Sequence, residues 1–205
     1  MSKIFKVSEM KPGEVFKLML SFIAPRPIGW ISTISDKGVP NLAPFSFFNM
    51  LGNNPATLAF SPAISRDGRK KDTLLNVQQT KCFVHNVVTR EVADTMNLSS
   101  TEYPYGVSEF EKVGLTALPS ALIAAPRVKE ALINVECKLM QIVSLGEKPG
   151  NGQIVFGEVV AIHIQDESLI VDGVIDSSRV EYLARMGRDE YSSTKDRFSM
   201  KSPRE

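Results

Sequence analysis

Two lysines before a short predicted helix form the first candidate binding site in this sequence. Lys70 and Lys71 precede Asp72, whose carboxylate is expected to cap a helix over residues 73–79. The free amides and the dipole of a helix start, the two ammonium groups and the Thr73 hydroxyl all favour a negatively charged ligand. The pattern therefore predicts an anion site, and a solvated helix start with surface lysines is the alternative.

An aromatic segment, NLAPFSFFN over residues 41–49, is the second candidate. Phe45, Phe47 and Phe48 are suited to form an apolar wall beside a flat ligand, and packing within the hydrophobic core is the alternative. Pro44 interrupts the segment, because proline has no amide hydrogen to donate to a neighbouring strand, and this predicts an edge or bulged strand.

Arg26 stands between Pro25 and Pro27, so its backbone is limited to extended conformations. Its guanidinium therefore has a nearly fixed starting point, which suits the binding of a phosphate or a carboxylate through two parallel hydrogen bonds. We expect Arg26 to hold a ligand phosphate or to orient the loop that does so. A salt bridge that seals the mouth of the fold is the alternative.

Extended segments must position these candidates. Runs rich in β-branched and aromatic residues, bounded by turn residues, predict six strands, over residues 28–34, 39–50, 56–61, 82–88, 133–143 and 153–164. Short strands with few helices predict a mainly β protein built on a closed or nearly closed antiparallel barrel. A parallel nucleotide-binding sheet is not expected, since neither GxGxxG after a first strand nor a P-loop occurs.

Helices are expected in three places besides the strands, over residues 73–79, 90–98 and 177–186. The stretch 99–127 contains three prolines and two glycines. We expect it to be an irregular excursion that runs over the surface near a site.

The composition indicates an ordinary globular protein. The 205 residues carry a formal net charge of +1 and are 43% hydrophobic, so a single domain over 1–205 is expected, and neither nucleic acid nor an anionic membrane surface is a predicted partner. No apolar run is long enough to span a bilayer, and the N-terminal residues do not have the pattern of a signal peptide. Cys82 and Cys137 lie in apolar runs without a CxxC motif, which is typical of buried free thiols in a reducing, cytoplasmic environment.

Several motifs in a fixed order resemble the flavin reductase-like family of FMN-binding split barrels, a flavoredoxin-like group. The resemblance extends from about Pro25 to Tyr191 and leaves a polar tail over 192–205. The motifs that carry it are RPIGWIST, PNLAPFSFFN, PATLAFS, RKKDTLLN, CFVHNVVT, MNLSS, YPYGVSEFEKVGLT and GEVVAIHI.

The resemblance implies a six-stranded antiparallel split barrel that forms a homodimer, with FMN near the subunit interface. It implies that residues 32 and 33 line the flavin or its ribityl chain, that residues 43–47 run along the ring, and that residues 49 and 71–73 serve the ribityl and phosphate end. The cofactor-binding residues expected on this basis, together with the clamped arginine, are Arg26, Ser32, Thr33, Ala43, Pro44, Phe45, Ser46, Phe47, Asn49, Lys71, Asp72 and Thr73.

The implied activity is an FMN-dependent oxidoreductase, in which NADH or NADPH reduces the flavin and the electrons pass to a further acceptor, such as a partner oxygenase or another redox protein. One alternative is a flavoredoxin-like electron carrier without its own nicotinamide site. A split barrel that binds haem or pyridoxal phosphate and a binding module without a cofactor are the others.

The two histidines, His85 and His163, lie in different predicted strands, and neither HExxH nor paired CxxC occurs, so no metal site is predicted. His163 ends an otherwise apolar strand, where an imidazole is costly unless it is hydrogen-bonded. It is the candidate catalytic residue near the flavin or the nicotinamide, and a hydrogen-bonded structural histidine is the alternative. His85 is expected to be structural.

Overall fold

The central element of the fold is a seven-stranded antiparallel sheet, seen in a computed structural model that describes residues 2–203. The strands follow one another in the order β3-β2-β6-β9-β10-β5-β4. Their bounds are β2 (Gly29–Ile34), β3 (Pro40–Phe45), β4 (Phe48–Asn53), β5 (Ala56–Phe60), β6 (Cys82–Asn86), β9 (Ile133–Ser144) and β10 (Gln153–Ile164).

Two residues join the opposite edges of this sheet. Strands β3 and β4 lie at its two ends, yet only Ser46 and Phe47 separate them in the chain. The edges must therefore approach each other, which is the connectivity of a split barrel. The predicted strand over 39–50 is consequently two strands, and with this division the six predicted strands account for all seven.

Smaller elements surround the barrel. Two short pairs and a three-stranded sheet of order β1-β13-β14 are formed by β1 (Arg26–Pro27), β7 (Ala117–Leu118), β8 (Arg127–Val128), β11 (Ile170–Val171), β12 (Val174–Ile175), β13 (Leu183–Arg185) and β14 (Tyr191–Ser193). The helices are α1 (Pro12–Phe22), α2 (Asp72–Thr80), α3 (Ala93–Leu98) and α4 (Glu109–Val113). Single 3-10 turns lie at Val7–Glu9, Arg90–Val92, Glu167–Leu169 and Ser177–Arg179.

Two hydrophobic clusters lie on opposite faces of the sheet. The inner cluster includes Ile31, Phe83 and Val155, and the outer cluster includes Trp30 and Met96. Successive residues of a strand point to opposite faces, so Trp30 and Ile31 contribute to different clusters. Strand β2 is buried on both faces, and its continuous run of apolar and small residues follows from this.

The predicted helix over 177–186 is wrong. Only the single turn Ser177–Arg179 is helical, and Leu183–Arg185 forms strand β13, which pairs with β1 and β14. Main-chain pairing with β1, which is more than 150 residues away in sequence, overrides the local pattern. Ser192 and Ser193, at the beginning of the predicted polar tail, belong to strand β14.

Helix α1 was not expected from the sequence. Pro12 occupies its first position, and the Glu14 carboxylate accepts a hydrogen bond from the Lys11 amide at 3.0 Å. Both are signals of a helix start. Helix α1 is unusual because none of its residues is buried within the described part of the chain.

Two further findings concern the cysteines and the helices. Cys82 and Cys137 are buried free thiols, as predicted. Among residues 2–203 there is no helix with the length and hydropathy that a membrane crossing requires.

Candidate functional site

The start of helix α2 is open to a ligand. The expected cap by Asp72 is wrong: Asp72 is the first helical residue, Lys71 is the N-cap residue, and no side chain within the described residues caps the helix. The Lys71 carbonyl is the first hydrogen-bond acceptor of the helix, and it accepts from the amides of Leu74 and Leu75. The Thr73 amide precedes these donors and therefore has no acceptor within the helix. Thr73 is buried and Asp72 is partly buried beside it. An anion at this end is favoured by the helix dipole and by the unshared amide.

Three cationic residues, Arg69, Lys70 and Lys71, surround this helix start and line a cavity of about 140 Å³. The Lys71 ammonium pairs with the exposed Glu102 carboxylate on the opposite side of the cavity. This hydrogen bond and the charge of Lys71 lower the pKa of Glu102. Arg69 instead pairs with Asp67 at 2.5 Å in the preceding loop. Exposed ion pairs are worth little, so a phosphate can replace Glu102 as the partner of Lys71 at small cost.

A buried polar network connects strand β3 to helix α2. The Asn41 amide donates to the Thr33 hydroxyl at 3.1 Å and to the Thr73 hydroxyl at 3.0 Å, and the Asn76 amide donates to Thr33 at 3.1 Å. All four side chains are buried. Thr33, expected at the flavin, is therefore a member of this network, while Asn41 and Thr73 face the cavity.

Glu109 adds a buried carboxylate to the same cavity. It accepts a hydrogen bond from the Leu42 amide at 2.9 Å, which fixes strand β3 from the opposite side. Burial raises the pKa of Glu109 despite this bond, and the charge of Asp72 raises it further. Burial also raises the pKa of Asp72, although Arg69 and Lys71 act in the opposite direction. Both carboxyl groups are thus easier to protonate than an exposed one.

An aromatic groove of about 750 Å³ adjoins the polar cavity. The two share five residues, Pro44, Phe45, Ser65, Lys71 and Glu102. Phe47 stands half-exposed in the groove, with the Phe16 ring of helix α1 edge-on to it at 6.2 Å. Phe45 packs on Phe60 with ring centroids 5.2 Å apart. The arrangement provides an anion site at one end and a flat apolar wall at the other.

Three expected residues lie elsewhere. Ser32 is fully buried and donates to the Pro126 carbonyl on the outer face of the sheet. Asn49 lies on the exposed strand β4, where its side-chain oxygen accepts a hydrogen bond from the Met50 amide at 2.8 Å. Phe48 packs against His85 inside the barrel, with ring centroids 4.3 Å apart.

Arg26 is 7% exposed and donates mainly to backbone carbonyls. Its guanidinium binds the carbonyls of Leu20 at 3.2 Å, of Ile23, and of Met186 at 2.8 Å. Its Nε lies 3.5 Å from the Ser46 hydroxyl at the corner between β3 and β4. Arg26 has no acidic ion-pair partner among residues 2–203, so the alternative of a salt bridge is not seen there. The side chain instead joins helix α1 to the residue that follows strand β13.

His163 contacts a buried carboxylate on the outer face of the sheet. Its Nε2 lies 2.6 Å from the Glu136 carboxylate, which also accepts hydrogen bonds from the amides of Ala121 at 2.6 Å and Leu122 at 2.8 Å. Burial raises the pKa of Glu136, but these hydrogen bonds outweigh it and leave the pKa below its usual value. His163 thus stabilises the excursion over the sheet, and a catalytic role for it stays a prediction.

Some cavity residues were not identified in the sequence. Ser65, Glu109 and the segment 99–103 line the polar cavity. The segment belongs to the excursion that was expected near a site, and the Trp30 indole fixes it by donating to the Ser99 hydroxyl at 2.9 Å. Glu109 carried no sequence signal, because only the fold brings it beside Leu42. In the described part of the chain no cluster of three or more His, Cys, Asp and Glu residues is arranged to hold a metal ion.

The comparisons with known proteins identify the family. Residues 21–174 match the model of the flavin reductase like domain, so the chain belongs to that family. An uncharacterized protein of Aquifex aeolicus is 40% identical over 187 residues, which are 91% of this chain and 93% of that protein.

Two solved structures are similar over nearly their whole length. Nitrilotriacetate monooxygenase component B from Bacillus cereus is 28% identical with a TM-score of 0.92, covering 98% of this chain and 99% of that one. The 2-nitrobenzoate 2-nitroreductase NbaA of Pseudomonas fluorescens is 29% identical with a TM-score of 0.89, covering 98% and 97%.

Proposed function

We propose that this protein binds FMN and catalyses its reduction by NADH or NADPH. The observation that carries the proposal is the open start of helix α2, with Lys71 and Thr73, where it meets the aromatic groove of Phe45 and Phe47. This pairing of an anion site with a flat apolar wall fits a phosphate joined to an isoalloxazine ring. Membership of the flavin reductase-like family supports it.

The residues present fit the two ends of FMN. Lys71 and the amide and hydroxyl of Thr73 would hold the phosphate, since they supply a cation and two hydrogen-bond donors at one point. Pro44, Phe45 and Phe47 would flank the ring and exclude water from one side of it. Arg26 acts as a positioning residue, because it holds the Ser46 corner from behind.

When bound, the flavin supplies the redox chemistry: it accepts a hydride from the reduced nicotinamide and passes the electrons to a further acceptor. The protein contributes binding, orientation and exclusion of water. No dedicated catalytic acid or base is required for this role. His163, which is held by Glu136, is not needed by the proposal.

We further propose that the active form is a homodimer. Helix α1 and strand β4 expose Phe16, Phe22, Met50 and Leu51 at 52%, 65%, 69% and 58%. Several large apolar side chains left exposed in this way favour an interface. Phe16 also touches Phe47, so this surface continues into the aromatic groove. A second copy of the chain would cover it and complete the rim of the flavin site.

The further acceptor is proposed to be a separate oxygenase. The similarity to a monooxygenase component supports a protein that hands reduced flavin to a partner. Direct reduction of a nitroaromatic acid is the second candidate, supported by the similarity to the nitroreductase and by a third cavity beside Pro44, which is lined partly by Arg185.

The proposal is tested on the purified protein under anaerobic conditions, reconstituted with equimolar FMN. We expect a flavin absorbance band that bleaches with one equivalent of NADH or NADPH, and a dimeric mass by light scattering. A bound flavin that neither nucleotide bleaches would indicate an electron carrier. A haem or pyridoxal phosphate spectrum, or no retained FMN, would overturn the proposal.

A further inference from the structure

Two arginines stand directly opposite each other at one end of the barrel. In the antiparallel pair of β1 and β13, Arg26 lies across from Arg185. Like charges in this position destabilise a strand pair. Burial and the charge of Arg185 both lower the pKa of Arg26. The structure therefore holds two positive charges together at an energetic cost.

No acidic side chain offsets this charge closely within the described residues. Arg26 donates to carbonyls and to Ser46, as described above. Arg185 has one acidic neighbour, Asp189, at 3.7 Å, and the Asp189 side chain is fully exposed. Such an exposed and distant pair contributes little. Arg185 also donates to the backbone carbonyl of Arg188, which is a neutral partner. Its positive charge is therefore only weakly compensated by acidic groups.

A cavity of about 510 Å³ lies beside these arginines. The Arg185 guanidinium stacks on the Tyr191 ring, 4.5 Å from its centroid, and forms one wall. The Tyr191 hydroxyl is fixed by Asn97 at 3.2 Å. The cavity combines apolar side chains, including Ile28, Pro44 and Met96, with polar side chains, including Ser46, Asn97 and Ser100.

This cavity adjoins both parts of the proposed flavin site. It shares Pro44 and Ser46 with the aromatic groove, and Pro44 and Ser100 with the polar cavity. A molecule bound in it would lie against the corner that joins β3 to β4, next to the expected position of the flavin ring. Its volume is in the range of small-molecule sites.

We propose that this cavity binds the anionic small molecule that exchanges electrons with the flavin, with Arg185 as the residue that pairs with its phosphate or carboxylate. The assignment rests on the proposed function for the identity of the cofactor. Arg185, held in place by its stacking on the Tyr191 ring, supplies the cation. The apolar side chains of Ile28 and Met96 in the same lining suit a ring that carries a negative group. Arg26, which lies opposite Arg185 in the strand pair, adds to the positive electrostatic potential there.

The test compares Arg185→Gln and Arg185→Lys with Arg188→Gln, which removes the same charge from the exposed neighbouring position. Calorimetric titrations use NAD+, NADP+ and benzoate as probes, on the protein with and without FMN. FMN affinity is measured on each variant. The calorimetric signal does not require flavin, so a failure of the proposed function would appear as lost FMN binding and would not hide the result for Arg185.

We expect Arg185→Gln to weaken at least one probe roughly tenfold or more, Arg185→Lys to weaken it less, and Arg188→Gln to leave it unchanged, with FMN affinity preserved throughout. A loss of affinity for the dinucleotides identifies the nicotinamide donor as the ligand. A loss of affinity for benzoate alone identifies an acidic acceptor. The proposal is overturned if no probe binds the wild-type protein, if Arg185→Gln binds every probe normally, or if Arg188→Gln loses as much affinity.

Discussion

The side-chain amide of Asn41 donates to the hydroxyl of Thr73 at 3.0 Å and thereby joins strand β3 to the first turn of helix α2. The same nitrogen reaches Thr33 on the neighbouring strand at 3.1 Å. Strand β3 continues into Pro44 and Phe45, which line the aromatic groove. Asn41 therefore holds the anion site and the aromatic wall in a fixed relation.

Asn41→Ala should lower both stability and FMN affinity. The substitution removes two buried hydrogen bonds, so we expect the free energy of unfolding to fall by about 2 kcal/mol. FMN affinity should fall about tenfold, which corresponds to about 1.4 kcal/mol, because the helix start is no longer fixed against the groove. Asn53→Ala, at the exposed end of strand β4, is the control. Chemical denaturation and fluorescence quenching measure the two effects, and unchanged FMN affinity would contradict the link.

Lys71→Ala should weaken FMN about tenfold while leaving stability almost unchanged. Its ion pair with Glu102 is exposed and contributes little to folding. Glu102→Gln is the matched variant: it frees Lys71 and removes a negative charge, so FMN should bind equally well or more tightly. Flavin fluorescence titrations of both variants decide the matter. If Lys71→Ala retains full FMN affinity, the lysine is a surface residue without a role in binding.

Arg26→Lys should destabilise the flavin-free protein by about 2 kcal/mol, since an ammonium group cannot reach all the carbonyls that the guanidinium contacts. FMN affinity, measured where the variant is folded, should change much less. Thermal melting without flavin and titration with FMN are done on the same preparation. A tenfold loss of FMN affinity with normal melting would instead indicate direct contact with the phosphate.

Much of the barrel could be predicted from local patterns, but its long-range pairings could not. The strand after Arg26 is recognisable because β-branched and aromatic residues run without interruption to Ile34. Residues 183–185 contain no comparable run, and they form strand β13 because β1 offers a free edge. The opposition of Arg26 and Arg185 is a consequence of that pairing, so nothing in the sequence near either arginine indicates it.

In the candidate site, too, local features could be predicted from the sequence and long-range contacts could not. Lys71 and Thr73 are visible in the sequence because a helix start is a local feature. Glu109 becomes a cavity residue only when helix α4 packs against strand β3 and its carboxylate meets the Leu42 amide. Thr33 matched a family motif, yet its hydroxyl is engaged by Asn41 and Asn76 within the protein. Motif resemblance locates a segment, and the fold decides which side of it faces the ligand.

Stability should decrease in acid because of His85. Burial lowers the pKa of His85 to about 3, against 6.5 for an ordinary histidine, and its Nδ1 is buried without a hydrogen-bond partner among the described residues. Because the folded-state pKa of His85 is depressed, protonation of this side chain favours the unfolded state. The free energy of unfolding is therefore unaffected by the titration of His85 above pH 6.5 and decreases progressively as the pH falls towards 3. His85→Leu should reduce the slope of unfolding free energy against pH between these limits by up to about 1.4 kcal/mol per pH unit.

The control for this effect is Phe83→Leu, on the same strand two residues earlier. Phe83 is also fully buried inside the barrel but does not titrate. Its substitution should lower stability equally at every pH and leave the slope as in the wild-type protein. Denaturation curves at intervals from pH 4 to 7 provide the comparison, and an unchanged slope in His85→Leu would show that another group causes the acid sensitivity.

The most direct test of the account is the comparison of FMN with riboflavin, which share the ring and differ by the phosphate. Fluorescence quenching with the wild-type protein gives both dissociation constants under one set of conditions. If Lys71, Thr73 and the open start of helix α2 hold the phosphate, FMN should bind about a hundredfold more tightly, or about 3 kcal/mol. Equal affinities would contradict the phosphate site, and with it the central claim that this helix start and the adjoining aromatic groove form one flavin-binding unit.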